Sequence, residues 1–170
     1  LIKVNPPVRT ELDRRAMMAA LKRGRLDTFG SDHAPHTLEE KNQDYWSAPS
    51  GLPGVGTMFP LILGALKNGR LSLELMVSMC SEAPAKRFNL EGKGKIEEGA
   101  DADIVLFREG VTTKLTQDMV TCHCGWSPFV GREVGLPPDY VIVNGNISCR
   151  SGVIADDAPL GRAVRYAGRG

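Results

Sequence analysis

Leu26-Asp27-Thr28-Phe29-Gly30, running directly into Ser31-Asp32-His33-Ala34-Pro35-His36, is the stretch on which the reading of this chain turns. The first five residues read as a short strand closing on a glycine, and Pro35 stops the segment from continuing as a regular helix or a central strand. Asp32 is therefore expected to project from the carboxyl end of a strand, where α/β enzymes place their reactive groups. A carboxylate and two imidazoles in so short a span point to metal or acid–base chemistry.

The surrounding pattern is helical. Thr10-Glu11-Leu12-Asp13 has the form of a helix start, a hydroxyl followed by early acids, and Arg14 to Leu21 supplies one apolar face before Gly24 ends it. Thr37-Leu38-Glu39-Glu40 has the form of a capping box. Tyr45 to Pro53 lacks periodicity and reads as an irregular loop near the strand end, the kind of place where functional residues gather. From Thr57 to Asn68 the spacing of Met58, Leu61, Ile62, Ala65 and Leu66 predicts a helix stopped by Gly69. Ser72 caps a further helix over Leu73–Cys80, whose Leu75, Met76 and Met79 form an apolar stripe read as core filler, and a short helix follows at Pro84–Phe88.

Beyond Asn89 the period changes. Asp103–Phe107 and Tyr140–Asn146 read as strands, the second entering a tight turn at Asn144-Gly145 and returning through Ile147-Ser148-Cys149-Arg150. A boundary near residue 90 thus divides a strand–helix region from a β-rich one, and no internal repeat or low-complexity segment is evident.

The bulk numbers narrow the function only by exclusion. At 170 residues, 42% hydrophobic and 24% charged, the composition is ordinary for a globular chain. Lys plus Arg total 21 against 20 for Asp plus Glu, with no long run of one sign, so nothing favours a nucleic acid or an anionic membrane surface as partner. The longest apolar stretch, around Met58 to Leu66, contains Pro60 and Gly64 and is far shorter than a bilayer requires. Cys80, Cys122, Cys124 and Cys149 are too few and too irregularly spaced for a secreted disulfide framework, which favours a reducing cytoplasm. Cys122-His123-Cys124 carries zinc-ligand residue types, yet one-residue spacing is not the usual ligand hairpin, and a structural loop role is expected. The chain opens on Leu1-Ile2-Lys3 without a basic leader and apolar core, and a start at Leu1 reads as a cut chain.

Three motifs in order, Lys3-Val4-Asn5-Pro6-Pro7-Val8-Arg9, Ser31-Asp32-His33-Ala34-Pro35-His36 and Ser50-Gly51-Leu52-Pro53-Gly54-Val55-Gly56-Thr57, resemble consecutive motifs of the dihydroorotases, within the amidohydrolase superfamily. Gly92-Lys93-Gly94-Lys95-Ile96-Glu97-Glu98-Gly99-Ala100-Asp101-Ala102-Asp103-Ile104-Val105-Leu106 resembles the segment leading such enzymes back into their small β-sandwich, and Trp126-Ser127-Pro128-Phe129-Val130-Gly131 the loop after it. The resemblance covers nearly the whole chain but only the carboxyl-terminal half of such an enzyme. It implies an α/β fold: residues 1–90 as the last strands and helices of a (β/α)8 TIM-type barrel with its active-site loops, and residues 91–170 as most of a composite β-sandwich. Residues 1–90 are too few to close a barrel, which needs about 200 or more. The chain is then expected to rely on the amino-terminal half of the same enzyme for its core.

The same resemblance implies the chemistry, reversible closure of N-carbamoyl-L-aspartate to dihydroorotate in pyrimidine biosynthesis. An amide is a poor electrophile, and in the family a zinc pair activates water while one carboxylate carries the proton to the leaving nitrogen. Asp32 takes the place of that carboxylate, as metal ligand and general acid/base. Asn5 and His36 match contacts to the substrate carboxylate, Ser50 and Gly51 match the position where backbone groups hold the ring, and His33 reads as structural. Hydantoinases, dihydropyrimidinases and allantoinases share the Asp-His pair but generally differ at the position of His36, so Asn5 and His36 together favour dihydroorotate. The family's His-x-His pair, its carbamylated lysine and two further histidines have no counterpart here, so the isolated chain is expected to bind zinc weakly and not to turn over. Homodimerisation or a complex with aspartate transcarbamoylase is implied as possible assembly, and a non-catalytic scaffold for that enzyme stands as a reading from another class.

Overall fold

In the computed structural model of the chain, residues 1–155 and 161–166 are described. Two compact units are interleaved along the sequence. One comprises Leu1–Leu26, Gly30–Ala65 and Thr112–Gly135; the other comprises Asp27–Phe29, Leu66–Val111 and the chain from Leu136. The change from helix to strand falls between Arg87, where the last helix ends, and Ile104, where the first strand begins. Compactness divides the chain differently, because Thr112–Gly135 gathers with the first unit. Residues 156–160 and 167–170 of the expected β-rich region lie outside the described residues.

In the first unit, helix α1 (Glu11–Lys22) begins at Thr10 with a complete capping box. The Thr10 hydroxyl accepts from the Asp13 N–H, and the Asp13 carboxylate accepts from the Thr10 N–H at 3.0 Å. It ends at Gly24, φ +65°, where Gly24 N–H donates to Leu21 and Arg25 N–H to Ala20, both at 3.0 Å. This satisfies two carbonyls of the last turn through a left-handed residue that costs glycine nothing. Helix α2 (Leu38–Lys41) starts with the second capping box, Thr37 with Glu40. Helix α3 (Val55–Lys67) starts two residues earlier than its apolar spacing predicts and holds Pro60, which has no N–H to give the Gly56 carbonyl.

Strands β2 (Thr112–Lys114) and β3 (Glu133–Gly135) pair antiparallel, Thr113 opposite Val134, and the pairing continues where Leu115 N–H donates to Arg132. Both strands lie between the strands that the sequence predicts, on either side of the loop Trp126–Gly131. Val134 is fully buried, and α3 closes on β3 at glycines: a Cβ on Gly135 would overlap Leu63, and one on Gly64 would stand 2.8 Å from the Glu133 carbonyl oxygen. Leu21, Ala48, Ile62, Leu63, Leu115 and Trp126 complete this core.

In the second unit, Ser72 caps helix α4 (Leu73–Val77) by accepting from Leu75 N–H at 3.2 Å. The helix expected to run on to Cys80 instead widens into a π turn over Ser78–Glu82 before α5 (Ala83–Arg87). The reason is Pro84, which cannot donate to the Cys80 carbonyl, so the α register fails there. Met76 and Met79 are each 2% exposed, and Leu71 and Ala85 are buried as well, in keeping with an apolar stripe that fills a core.

The sheet of this unit has the order β1-β4-β5-β6, antiparallel throughout: β1 (Ile104–Leu106), β4 (Tyr140–Val143), β5 (Asn146–Arg150) and β6 (Val153–Ile154). Asn144 (φ +49°) and Gly145 (φ +81°) make the two-residue turn of the β4–β5 hairpin, which requires positive φ at both positions. One expected strand is absent. Leu26–Gly30 has no ladder against any described strand, and the following segment pairs only through a single parallel bridge between His33 and Leu52. A parallel strand is held by neighbours on its flanks, and none of the described residues supplies them beyond that bridge.

Candidate functional site

The segment Ser31–His36 is positioned by the loop Ser50–Gly54 and the first residue of α3. Ala34 N–H donates to the Leu52 carbonyl at 3.0 Å. The His33 Nδ1 accepts from two backbone donors, Gly54 N–H at 3.0 Å and Val55 N–H at 3.2 Å. These are among the first free N–H groups of α3, so an imidazole caps that helix. With Nδ1 as acceptor, the neutral ring carries its proton on Nε2. The tight approach of the two segments depends on Gly54, where a Cβ would stand 2.5 Å from the Ser31 carbonyl oxygen. Asp32, at φ +45°, turns the chain just before this anchor and is exposed. Aspartate, with its short polar side chain, tolerates the left-handed region better than most residues.

Asn5, Ser50 and Gly51 come together. Asn5 Nδ2 donates to Ser50 Oγ at 3.1 Å, next to a cis Asn5–Pro6 bond, and Gly51 N–H donates to the Lys3 carbonyl at 3.0 Å. Gly51 sits at φ +142°, and a side chain there would overlap the Ala34 carbonyl. This links the three residues to the Ser31–His36 segment.

A residue that sequence reasoning did not single out holds the arrangement. Lys41, 2% exposed, donates through Nζ to Lys3 O at 2.9 Å and to Pro49 O at 2.7 Å. Lys3 in turn donates to Tyr45 O at 2.6 Å and Ala48 O at 2.7 Å, with its ammonium 4.8 Å from the Tyr45 ring centre. Burial pushes the Lys41 ammonium below its ordinary pKa, and the neighbouring Lys3 charge adds to that. The sequence places Lys41 at the end of a short capped helix, where a basic residue usually faces water; nothing local signals its burial.

His36 stands apart from that trio. Its ring is half-buried, with Nδ1 3.8 Å from Glu40 Oε2, and its backbone carbonyl accepts from the buried Trp126 Nε1 at 2.8 Å. Glu40 is held below its ordinary carboxylate pKa, first by the Thr37 backbone N–H, then by the Thr37 hydroxyl, with His36 a smaller contribution. His33, His36, Glu40 and Gly56 line an open cleft of about 490 Å³ together with Cys122, His123 and Cys124. Asp32, Asn5, Ser50 and Gly51 are not among the residues lining that cleft. Among the described residues no three His, Cys, Asp or Glu side chains converge as a metal-binding group. Asp32 is therefore one candidate ligand and not a centre, and the donor set here does not by itself fit a zinc pair.

No helix of the described residues is long and apolar enough to cross a membrane. The sequence profile of the Amidohydrolase family matches residues 8–148. The chain is 43% identical over 143 residues to the dihydroorotase of Halobacterium salinarum, an alignment covering 84% of this chain and 34% of that protein. It is 39% identical over 147 residues to the dihydroorotase of Methanosarcina acetivorans, covering 85% and 31%. Among solved structures, the D-hydantoinase (dihydropyrimidinase) from Thermus sp. superposes with a TM-score of 0.87 at 27% identity, over 97% of this chain and 37% of that one. The L-hydantoinase (dihydropyrimidinase) from Arthrobacter aurescens gives 0.84 at 33% identity, over 95% and 37%. The chain spans about a third of the length of the curated relatives it matches, less than the half implied by its motifs. With the family profile covering Val8 to Ser148, motifs and superpositions together make this chain a member of the Amidohydrolase family.

Proposed function

We propose that this chain is part of a zinc-dependent cyclic amidohydrolase interconverting N-carbamoyl-L-aspartate and (S)-dihydroorotate, the ring-closing step of de novo pyrimidine (UMP) biosynthesis. The observation that carries the reading is the 43% identity to a dihydroorotase in a chain that has Asn5 and His36 as well as Asp32. In this reading residues 1–90 are the last part of a (β/α)8 barrel, residues 91–170 most of a β-sandwich, and the amino-terminal part of the same enzyme is the required partner. Zinc would polarise the amide carbonyl and activate water. Asp32 would be one of its ligands, with the others outside this chain.

The chain's own residues would bind and move a proton. Asp32, exposed on its left-handed turn, is free of the capping bonds that occupy Asp13 and Glu40, and its carboxylate would take a proton from the attacking water and pass it to the leaving nitrogen. Asn5 spends one N–H on Ser50, leaving Oδ1 and a second N–H for a substrate carboxylate or amide. Gly51 has already committed its N–H to Lys3, so its carbonyl is the group available to the ring. His36, with Glu40 beside it, would meet a substrate carboxylate from the cleft side.

The structural likeness to hydantoinases favours a second reading, a cyclic amidase for hydantoin or dihydrouracil, with an allantoinase-type ring as a variant. Reconstitution with the complementary amino-terminal polypeptide separates the readings. Dihydroorotate should be turned over in preference to hydantoin and dihydrouracil, with zinc required and with the chain alone inactive. Asp32→Asn should lower kcat at least about 100-fold, the scale of a lost general acid/base. Undiminished turnover in that variant would refute the role of Asp32, and no activity in any reconstituted form would favour a non-catalytic scaffold, for instance for aspartate transcarbamoylase.

A further inference from the structure

The loop after the 3₁₀ turn Gln117–Met119 carries chemistry that the proposed reaction does not use. Cys122 to Gly125 is a tight turn: Gly125 N–H returns to the Cys122 carbonyl at 2.9 Å, Gly125 has φ +72°, and Gln117 Nε2 holds the Gly125 carbonyl at 2.8 Å. The turn brings the side chains of its first and third residues together, with Cys122 Sγ and Cys124 Sγ 3.2 Å apart. Both are free thiols, both are half-buried, and both line the cleft that contains His36. At this separation the two sulfurs stand about 1 Å beyond the S–S bonding distance of about 2.05 Å. Cys80 and Cys149 have no such neighbour among the described residues: each is a free thiol, and Cys80 is buried enough to push its pKa up.

We propose that Cys122 and Cys124 form a reversible dithiol–disulfide site, whose reaction partner is a small disulfide such as oxidised glutathione. The chemistry balances in two exchanges. One cysteine thiolate attacks the small disulfide, forms a mixed disulfide and releases the first small thiol; the second cysteine thiolate then attacks that mixed disulfide, forms the Cys122–Cys124 bond and releases the second small thiol. Two electrons and two protons pass from the pair to the oxidant. Ring closure within the turn competes well with capture of a second small molecule, because the second sulfur is already adjacent.

The site has a mechanical route to His36. Cys124 Sγ lies 3.7 Å from the Trp126 carbonyl oxygen, and the Trp126 indole N–H holds the His36 carbonyl. Closing the disulfide draws Cys124 toward Cys122 and shifts that anchor. The inference concerns this chain's own thiols and stands whether or not the dihydroorotate reading holds.

The test is titration of the reduced chain with glutathione redox buffers, followed by alkylation and peptide mass mapping. The expected result is loss of two alkylatable thiols together, with a peptide two hydrogens lighter that contains both Cys122 and Cys124 and no attached glutathione. Cys122→Ser and Cys124→Ser should each abolish the bridge and leave stable glutathione adducts on the remaining thiol, while Cys80→Ser and Cys149→Ser should leave it unchanged. Single glutathione adducts without a bridge in the unaltered chain, or a bridge that forms through Cys80 or Cys149 instead, would overturn the proposal. Trp126 fluorescence, read in a Trp46→Phe background, should change on oxidation and recover on reduction; a signal unmoved by bridge formation would overturn the coupling to His36. Circular dichroism of each variant separates a missing bridge from a missing fold.

Discussion

Gly51 and Lys41 show how much of the candidate site is backbone work. At Gly51 the chain passes so close to Ala34 that no side chain fits, and its φ of +142° is one that L residues rarely adopt. Lys41 does the complementary task, filling with one ammonium the space between the Lys3 and Pro49 carbonyls. Taking that ammonium out of water is costly, and its two hydrogen bonds offset the cost only while both carbonyls stay in place. Lys41→Met keeps the aliphatic stem and removes the donors, stranding two carbonyls. It should lower stability by about 2 to 4 kcal/mol, measured as the shift in a urea transition. A loss below about 0.5 kcal/mol would mean that water replaces the ammonium without penalty. Gly51 was picked out by its motif, whereas Lys41 was not, since its burial arises from contacts with residues 38 positions earlier and 8 later.

At the scale of elements, the hydroxyl-plus-acid patterns at Thr10 and Thr37 located two helix starts because capping is a local transaction among four residues. The β4–β5 hairpin was equally legible through Asn144-Gly145. What joins β1 to that hairpin is less visible. Asp103 accepts from Asn144 N–H at 2.7 Å and pairs with Lys93, and its carboxyl is held below its ordinary pKa by the Asn144 N–H first and by Lys93 next. A carboxyl lowered by folding contributes stability at pH values above its unfolded pKa of about 3.9, and the contribution is lost as pH falls through the lower folded value. The urea midpoint should therefore fall as pH is taken from about 5 to about 3, and Asp103→Asn should flatten that slope while costing about 1 kcal/mol at neutral pH, a modest figure because the pair is partly in water. An unchanged slope in the variant would assign the acid sensitivity to other carboxylates.

For the molecule as a whole, the telling feature is apolar surface left in water. On the four-stranded sheet Val105, Leu106, Tyr140, Ile147, Val153 and Ile154 are all exposed, Val153 and Ile154 above 70%. Sheets of soluble proteins bury at least one face, so a surface of this kind marks an interaction site or a liability. In the proposed reading the amino-terminal part of the enzyme covers it. The isolated chain should bind an apolar-surface dye and release it when the amino-terminal polypeptide of the Halobacterium salinarum dihydroorotase is added, with a one-to-one complex seen by sedimentation. Absence of dye binding by the chain alone would sink that account of its surface.

By itself the sequence determined the helix starts at Thr10, Thr37 and Ser72, the methionine core stripe and the hairpin, because each depends on side-chain type or on spacing within a few residues. Only the tertiary structure decided the pairing of β2 with β3, the replacement of a helix end by a π turn, the absence of a ladder over Leu26–Gly30, and the tasks of His33, Lys41 and Trp126. Those outcomes depend on which distant carbonyl, strand or helix end comes within hydrogen-bond reach, and three-dimensional proximity of that kind leaves no mark in a local pattern.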